Sequence, residues 1–180
     1  IEAFDVLTEP KEEPAELLSR LPDILKEKSL DLSKDPESYL ETYMGYNMEP
    51  NEDPEADWRL DTIAGSTCCA ALINGYLNND NDYMDDLHAD GAVAGFFCYP
   101  LDTLREEEGS QKIFDFRDQL EGVFTTDEGS EVLTLTGGAT GIYCGYVDFI
   151  AWDIRTALQM AKEFFADTDL PWASFHTFRR

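Results

Sequence analysis

Residues 131–165 constrain the fold of this chain more than any other stretch. Segments 132–136 and 142–149 are rich in β-branched and aromatic residues. Between them Gly137-Gly138-Ala139-Thr140-Gly141 tolerates positive φ, which predicts a β-hairpin with its loop at 137–141. The second strand runs directly into a helix. Ile154, Ala157, Leu158, Ala161 and Phe165 recur at the spacing of one apolar face, and Asp153 stands where an N-cap carboxylate accepts orphan N–H groups. Trp152, Ile154, Leu158, Ala161 and Phe165 are therefore expected to be buried against the hairpin, with Leu133 and Leu135 among their neighbours.

Upstream, Leu17, Leu18, Leu21, Ile24 and Leu25 form an apolar stripe interrupted by Pro22, which predicts two short helical pieces. A further helix is expected to begin at Pro36 and end at Gly45. The acidic, proline-broken stretch 49–57 is the expected boundary between a helical N-terminal region, 1–50, and a core domain, 51–180, unless the two form one continuous domain. Ser66 is a potential cap for a helix that buries Cys69, Leu72, Ile73, Tyr76 and Leu77 and stops at Asn78-Asn79. Residues 80–90 read as a polar loop or short helix, and 91–99 as a strand buried on both faces and ended by Pro100. One or two helical turns follow over 101–108. Ser110 then opens a helix with Ile113, Phe116, Leu120 and Phe124 on one side, and 171–178 closes the chain as a strand.

Helical and strand periods interleave without regular alternation. The expected class is α+β, a single domain whose antiparallel sheet of about four strands is covered by helices on one side. A mixed sheet is the alternative, because the last helix joins two strands and suits a crossover.

Charge is the outlying bulk property: 38 Asp and Glu against 13 Lys and Arg give a formal net charge of −25. Such a charge disfavours direct contact with nucleic acid or anionic membrane and draws the protein toward basic surfaces. Its distribution is uneven. Residues 61–110 hold ten acids and one base, Arg105, whereas 111–180 hold 11 acids and six bases. No 18-residue apolar run is present, and Ile1-Glu-Ala-Phe-Asp lacks the basic and apolar regions of a secretion signal, so a cytoplasmic location is expected. Cys68, Cys69, Cys98 and Cys144 contain no C-x-x-C pair and read as reduced structural thiols without a zinc site.

The motifs of common chemistries fail on inspection. After Gly141 come Ile142 and Tyr143 where a phosphate-binding loop needs Lys and Ser or Thr, and no helix N-terminus follows to hold an anion. Asp86-x-His88-x-Asp90-Gly91 echoes a calcium loop, but its twelfth position is Phe97. Asp148 and Asp153 read as a strand-end residue and a helix cap and not as a glycosidase pair. Ser174 and His176 point to one face of the last strand, with Cys144 near them if the hairpin pairs with that strand. No nucleophile elbow or cysteine-protease signature accompanies them. No catalytic residue, cofactor or metal is therefore assigned.

Concentrated negative charge with interleaved tyrosines is what a protein needs to occupy a basic, nucleic-acid-binding groove on another protein. The candidate partner-binding residues are Asp80, Asp82, Asp85, Asp86, Asp90, Glu106, Glu107, Glu108 and Tyr83. The chain resembles acidic bacterial immunity, anti-restriction and anti-CRISPR proteins in general character and in no motif. The expected function is a non-enzymatic inhibitor of a basic, nucleic-acid-handling protein. The alternatives are a small hydrolase-like enzyme using Cys144, Ser174 and His176, or a scaffold within an assembly.

Overall fold

The computed structural model describes residues 36–105 and 110–180. A 3-10 turn, Pro36–Tyr39, precedes β1 (Met44–Asn47), β2 (Thr62–Thr67), α1 (Ala70–Asn78), α2 (Asp82–Ala89) and β3 (Val93–Pro100). Then come α3 (Asp102–Arg105), α4 (Ser110–Phe124), α5 (Asp127–Ser130), β4 (Leu133–Gly141), β5 (Cys144–Ala151), α6 (Ile154–Ala166) and β6 (Ser174–Thr177). Among the described residues six strands form one sheet, ordered β1-β2-β4-β5-β3-β6, with every pair antiparallel.

The fold is α+β, as its interleaved periods predict, but with two more strands than expected. Both missed strands are short and poor in large apolar residues: Met44-Gly-Tyr-Asn and Thr62-Ile-Ala-Gly-Ser-Thr. Gly45 and Ser66, expected to end one helix and cap another, instead face each other across β1 and β2. The mixed-sheet alternative falls because β6 returns beside β3 antiparallel.

Helices cover both faces of the sheet and not one. Alternate residues of the central strands point to opposite sides. Ala94, Phe96 and Cys98 of β3, with Tyr146 and Ile150 of β5, pack against Leu72, Ile73 and Tyr76 of α1 and Met84 and Leu87 of α2. Phe97, Tyr99, Val147 and Phe149 meet Ile113, Phe116, Leu120 and Phe124 of α4 and Ala157, Leu158 and Ala161 of α6. This double cover explains why all eight residues of β5 are buried. Each large side chain so enclosed contributes about 1.5–3 kcal/mol of transfer free energy.

α6 meets its expectation: Asp153 accepts from Thr156 N–H at 3.1 Å, and Leu158 and Ala161 lie in the core with Leu133 and Leu135 in the same cluster. Ile154 and Phe165 are partly buried. Trp152 is the exception, being 37% exposed with its indole N–H donating to the carbonyl of Glu131. It sits between β5 and α6, outside the period of either.

The glycine-rich stretch is not the hairpin loop. Residues 137–141 continue β4, pairing with β2 on one side and β5 on the other, and the chain turns at Ile142 and Tyr143. The glycines serve close approach. At Gly137, where φ is +138° and the register against β5 shifts, a Cβ would collide with the carbonyl of Ser66. At Gly141 it would collide with the carboxylate of Asp61.

Candidate functional site

The α1–α2 hairpin positions most of the described acids singled out in the sequence. α1 buries Leu72, Ile73 and Tyr76 and ends at Asn79, whose left-handed backbone (φ 56°) turns the chain. Asp80 Oδ1 accepts from Asp82 N–H at 2.9 Å, leading into α2. Met84 and Leu87 anchor α2 to the core, and the helical period leaves Asp82, Asp85 and Asp86 exposed beside Asp80. A groove of about 340 Å³ runs between the helices, lined by Asn74, Asn78, Asp80, Asp82, Tyr83 and Asp86.

Two of the predicted site residues have internal roles. Asp90 is half-buried and accepts from Tyr39 Oη at 2.8 Å; burial first, and this bond second, push the Tyr39 hydroxyl up to about 12. Tyr83 is half-buried against the core, with the Cys69 thiol donating to its hydroxyl at 3.4 Å, and burial raises its pKa. Glu106, Glu107 and Glu108 lie outside the described residues, as does the apolar stripe of residues 17–25.

A second acidic stretch, 49–57, borders the same flank. Arg180 donates to Asp57 and holds its guanidinium carbon 5.8 Å over the ring of Tyr76, while Tyr76 Oη donates to the carbonyl of Trp58 at 2.9 Å. Arg179 donates to Asp85. Adjacent arginines thus link the 49–57 loop to α2. Other cations are also engaged internally: Arg105 donates to the carbonyls of Gly141 and Ile142, and Arg117 to Ala139 O and Thr140 Oγ1.

Beneath this flank lies a buried polar network that sequence reasoning missed. Arg59, in a left-handed backbone conformation (φ 68°), donates to both carboxylate oxygens of Asp148 and, at 2.9 Å, to Tyr46 Oη. Phe96, Tyr146 and Phe178 surround its guanidinium carbon at 5.1–5.2 Å. Burial is the largest single influence and works against the Arg59 charge, but the Asp148 carboxylate together with Tyr46 and Tyr146 outweighs it and raises the pKa. Burial likewise pushes the Asp148 carboxyl up, opposed by Arg59. Asp148 is thus an interior residue of β5 and not a strand-end acid. A second buried carboxylate, Asp61, accepts from the N–H groups of Tyr143 and Cys144 at 2.9 and 3.0 Å and from the Tyr146 hydroxyl.

Ser174 and His176 do share a face of β6, with Ser174 Oγ 2.9 Å from His176 Nε2. The imidazole lies against Trp58 (ring centroids 4.5 Å apart) and Phe96 (5.5 Å), and burial lowers its pKa to about 4. Cys144 does not join them through hairpin pairing, because β3 lies between β5 and β6. Among the described residues no group of three or more His, Cys, Asp or Glu is arranged to hold a metal ion, and no helix is long and apolar enough to cross a membrane. The chain matches no known family model, no curated protein and no solved structure.

Proposed function

We propose that the protein is a non-enzymatic acidic binding protein that inhibits a basic, nucleic-acid-handling protein by occupying its anion-binding surface. One observation carries this reading: Asp80, Asp82, Asp85 and Asp86 are exposed together on the α1–α2 flank, while Arg59, Arg105, Arg117, Arg179 and Arg180 are bonded to the protein's own acids and carbonyls. The flank therefore presents a string of anions, as a nucleic-acid backbone does. Such a surface acts chiefly on association rate and partner choice.

The test is capture of the partner from host lysate at low salt, followed by competition against duplex DNA. Changing Asp80, Asp82, Asp85 and Asp86 to Asn slows association and leaves folding intact. The same number of changes at Asp118, Glu163, Asp167 and Asp169, exposed acids elsewhere, has a smaller effect. Equal loss from both quadruple variants, or affinity indifferent to salt, rejects the proposal, since exposed charges are screened over about 8–10 Å at physiological ionic strength.

The Ser174–His176 contact favours a second reading, a small hydrolase in which a neutral imidazole takes the Ser174 proton. Its test is labelling of Ser174 by a fluorophosphonate; a folded protein that takes up no label ends it.

A further inference from the structure

A cleft of about 330 Å³ opens between the 53–58 segment and the turn at Ile142 and Tyr143. Asp53, Glu55, Asp57 and Trp58 line it from the first of these segments and Tyr143 from the second, with the buried Asp61 beneath them. Tyr143 Oη donates to the carbonyl of Glu52 at 2.7 Å, fixing the two walls to each other. Trp58 is 39% exposed although its ring contacts His176 and Trp172.

The two carboxylates buried among the described residues differ in one respect. Asp148 has its cation, Arg59, within the chain. Asp61 is only 6% exposed and has three hydrogen-bond donors, yet among the described residues no Lys or Arg pairs with it. A buried carboxylate that no described Lys or Arg pairs with, at the base of an open cleft, leaves a negative potential directed outward. The protein also displays the matching chemistry at the rim, where Asp57 holds the guanidinium of Arg180 over an aromatic ring.

We propose that this cleft is an anchor site for an arginine side chain of the basic partner, its guanidinium lying against Trp58 and paired with the carboxylates of Asp53 and Glu55, since Asp57 is held by Arg180. The proposal rests on the reading of the protein as an acidic binding module. Arginine suits the site better than lysine because a planar guanidinium stacks on aromatic faces and meets carboxylates with a fork of donors. Trp58 and Tyr143 supply the apolar sides that its methylene stem needs.

The experiment titrates the full chain with acetyl-Gly-Arg-Gly-amide and with its citrulline counterpart, which has nearly the same shape without charge, and follows the Trp58 indole and the Tyr143 and Cys144 amides by NMR. The arginine peptide shifts these signals saturably, and the citrulline peptide binds about tenfold more weakly. Trp58→Leu weakens the arginine peptide about two- to fivefold, and Trp58→Phe, which keeps a ring face, restores it. Glu55→Gln, at an exposed position, gives a loss in the same direction should Trp58→Leu disturb folding. Equal binding of both peptides, or shifts confined to α2, overturns the anchor site. Octa-arginine separates the two hypotheses. If its affinity falls in the quadruple aspartate variant but not in Trp58→Leu or Glu55→Gln, the anchor site fails and the acidic surface stands. If octa-arginine binds without salt dependence, both fail.

Discussion

The Arg59–Asp148 pair makes the sharpest test of how the interior is held. Arg59 is 3% and Asp148 0% exposed, so removing one partner strands a charge where water cannot reach it. Replacing Arg59 by Met keeps much of the stem packing among Phe96, Tyr146 and Phe178 but leaves Asp148 uncompensated, at a cost of about 3–5 kcal/mol. Asp148→Asn strands the guanidinium and costs a similar amount. Against a total stability of about 5–15 kcal/mol for an ordinary domain, either change is severe. The double variant is less damaged than the sum of the two, because what remains is a buried amide short of partners, worth about 1–3 kcal/mol. The coupling read from a double-mutant cycle is then at least about 3 kcal/mol. Urea denaturation followed by circular dichroism at pH 7 measures all four proteins. Single variants that lose less than about 1 kcal/mol, or effects that simply add, refute the claim that the pair is desolvated and mutually dependent.

Two further predictions concern single groups. His176 is held at about 4, below its ordinary 6.5, by burial, so the folded protein declines a proton that the unfolded chain accepts. Its contribution to stability is complete above pH 6.5 and is lost as pH falls toward 4. Discounted for partial exposure of the ring, the loss is about 1–2 kcal/mol. Urea midpoints at pH 7 and 4.5 should differ more for wild type than for His176→Gln in the destabilising direction, and identical pH dependence excludes a neutral, desolvated ring. Gly141→Ala should destabilise by about 1–3 kcal/mol through collision with Asp61. A raised thermal midpoint, the usual result of Gly→Ala where space allows, would show that the Asp61 cradle yields.

Local regularities were legible in the sequence wherever period and cap agree. The stripe through Leu158 and Ala161, the Asp153 cap, the stop at Asn79 and the almost wholly buried β3 all follow from residue type and spacing alone. What was not legible depends on partners far along the chain. Gly137 to Gly141 looks like a turn because glycine is the usual turn residue, yet here it admits Ser66 and Asp61 into contact with β4. The actual turn at Ile142 and Tyr143 has no local turn chemistry. Asp61 holds it through Ile142, Tyr143 and Cys144 N–H groups, and Arg105 through the carbonyls of Gly141 and Ile142. Likewise Arg59 and Asp148 are 89 residues apart, so neither announces the other. At the candidate site, the exposed acids of α2 were visible from composition. The cleft was not, because Trp58, Asp61 and Tyr143 acquire common meaning only when β2 lies beside β4.

The strand order carries a consequence for how the chain reaches this state. β3 is an almost wholly buried run, Val93-Ala-Gly-Phe-Phe-Cys-Tyr-Pro, and its neighbours in the sheet are β5 and β6, both of which lie after it in the chain. β1 and β2, made earlier, are separated from it by β4 and β5. During synthesis from the N-terminus, β3 therefore emerges with both edges unpaired and no native strand available until residue 144 and beyond have appeared. An apolar strand with open edges is a template for pairing with other chains. Residues 1–100 already hold 23 acids against six bases, and the mutual repulsion that follows keeps such nascent chains apart over that interval. The acidity from which we propose a basic partner thus also guards the chain against its own kind before it has folded.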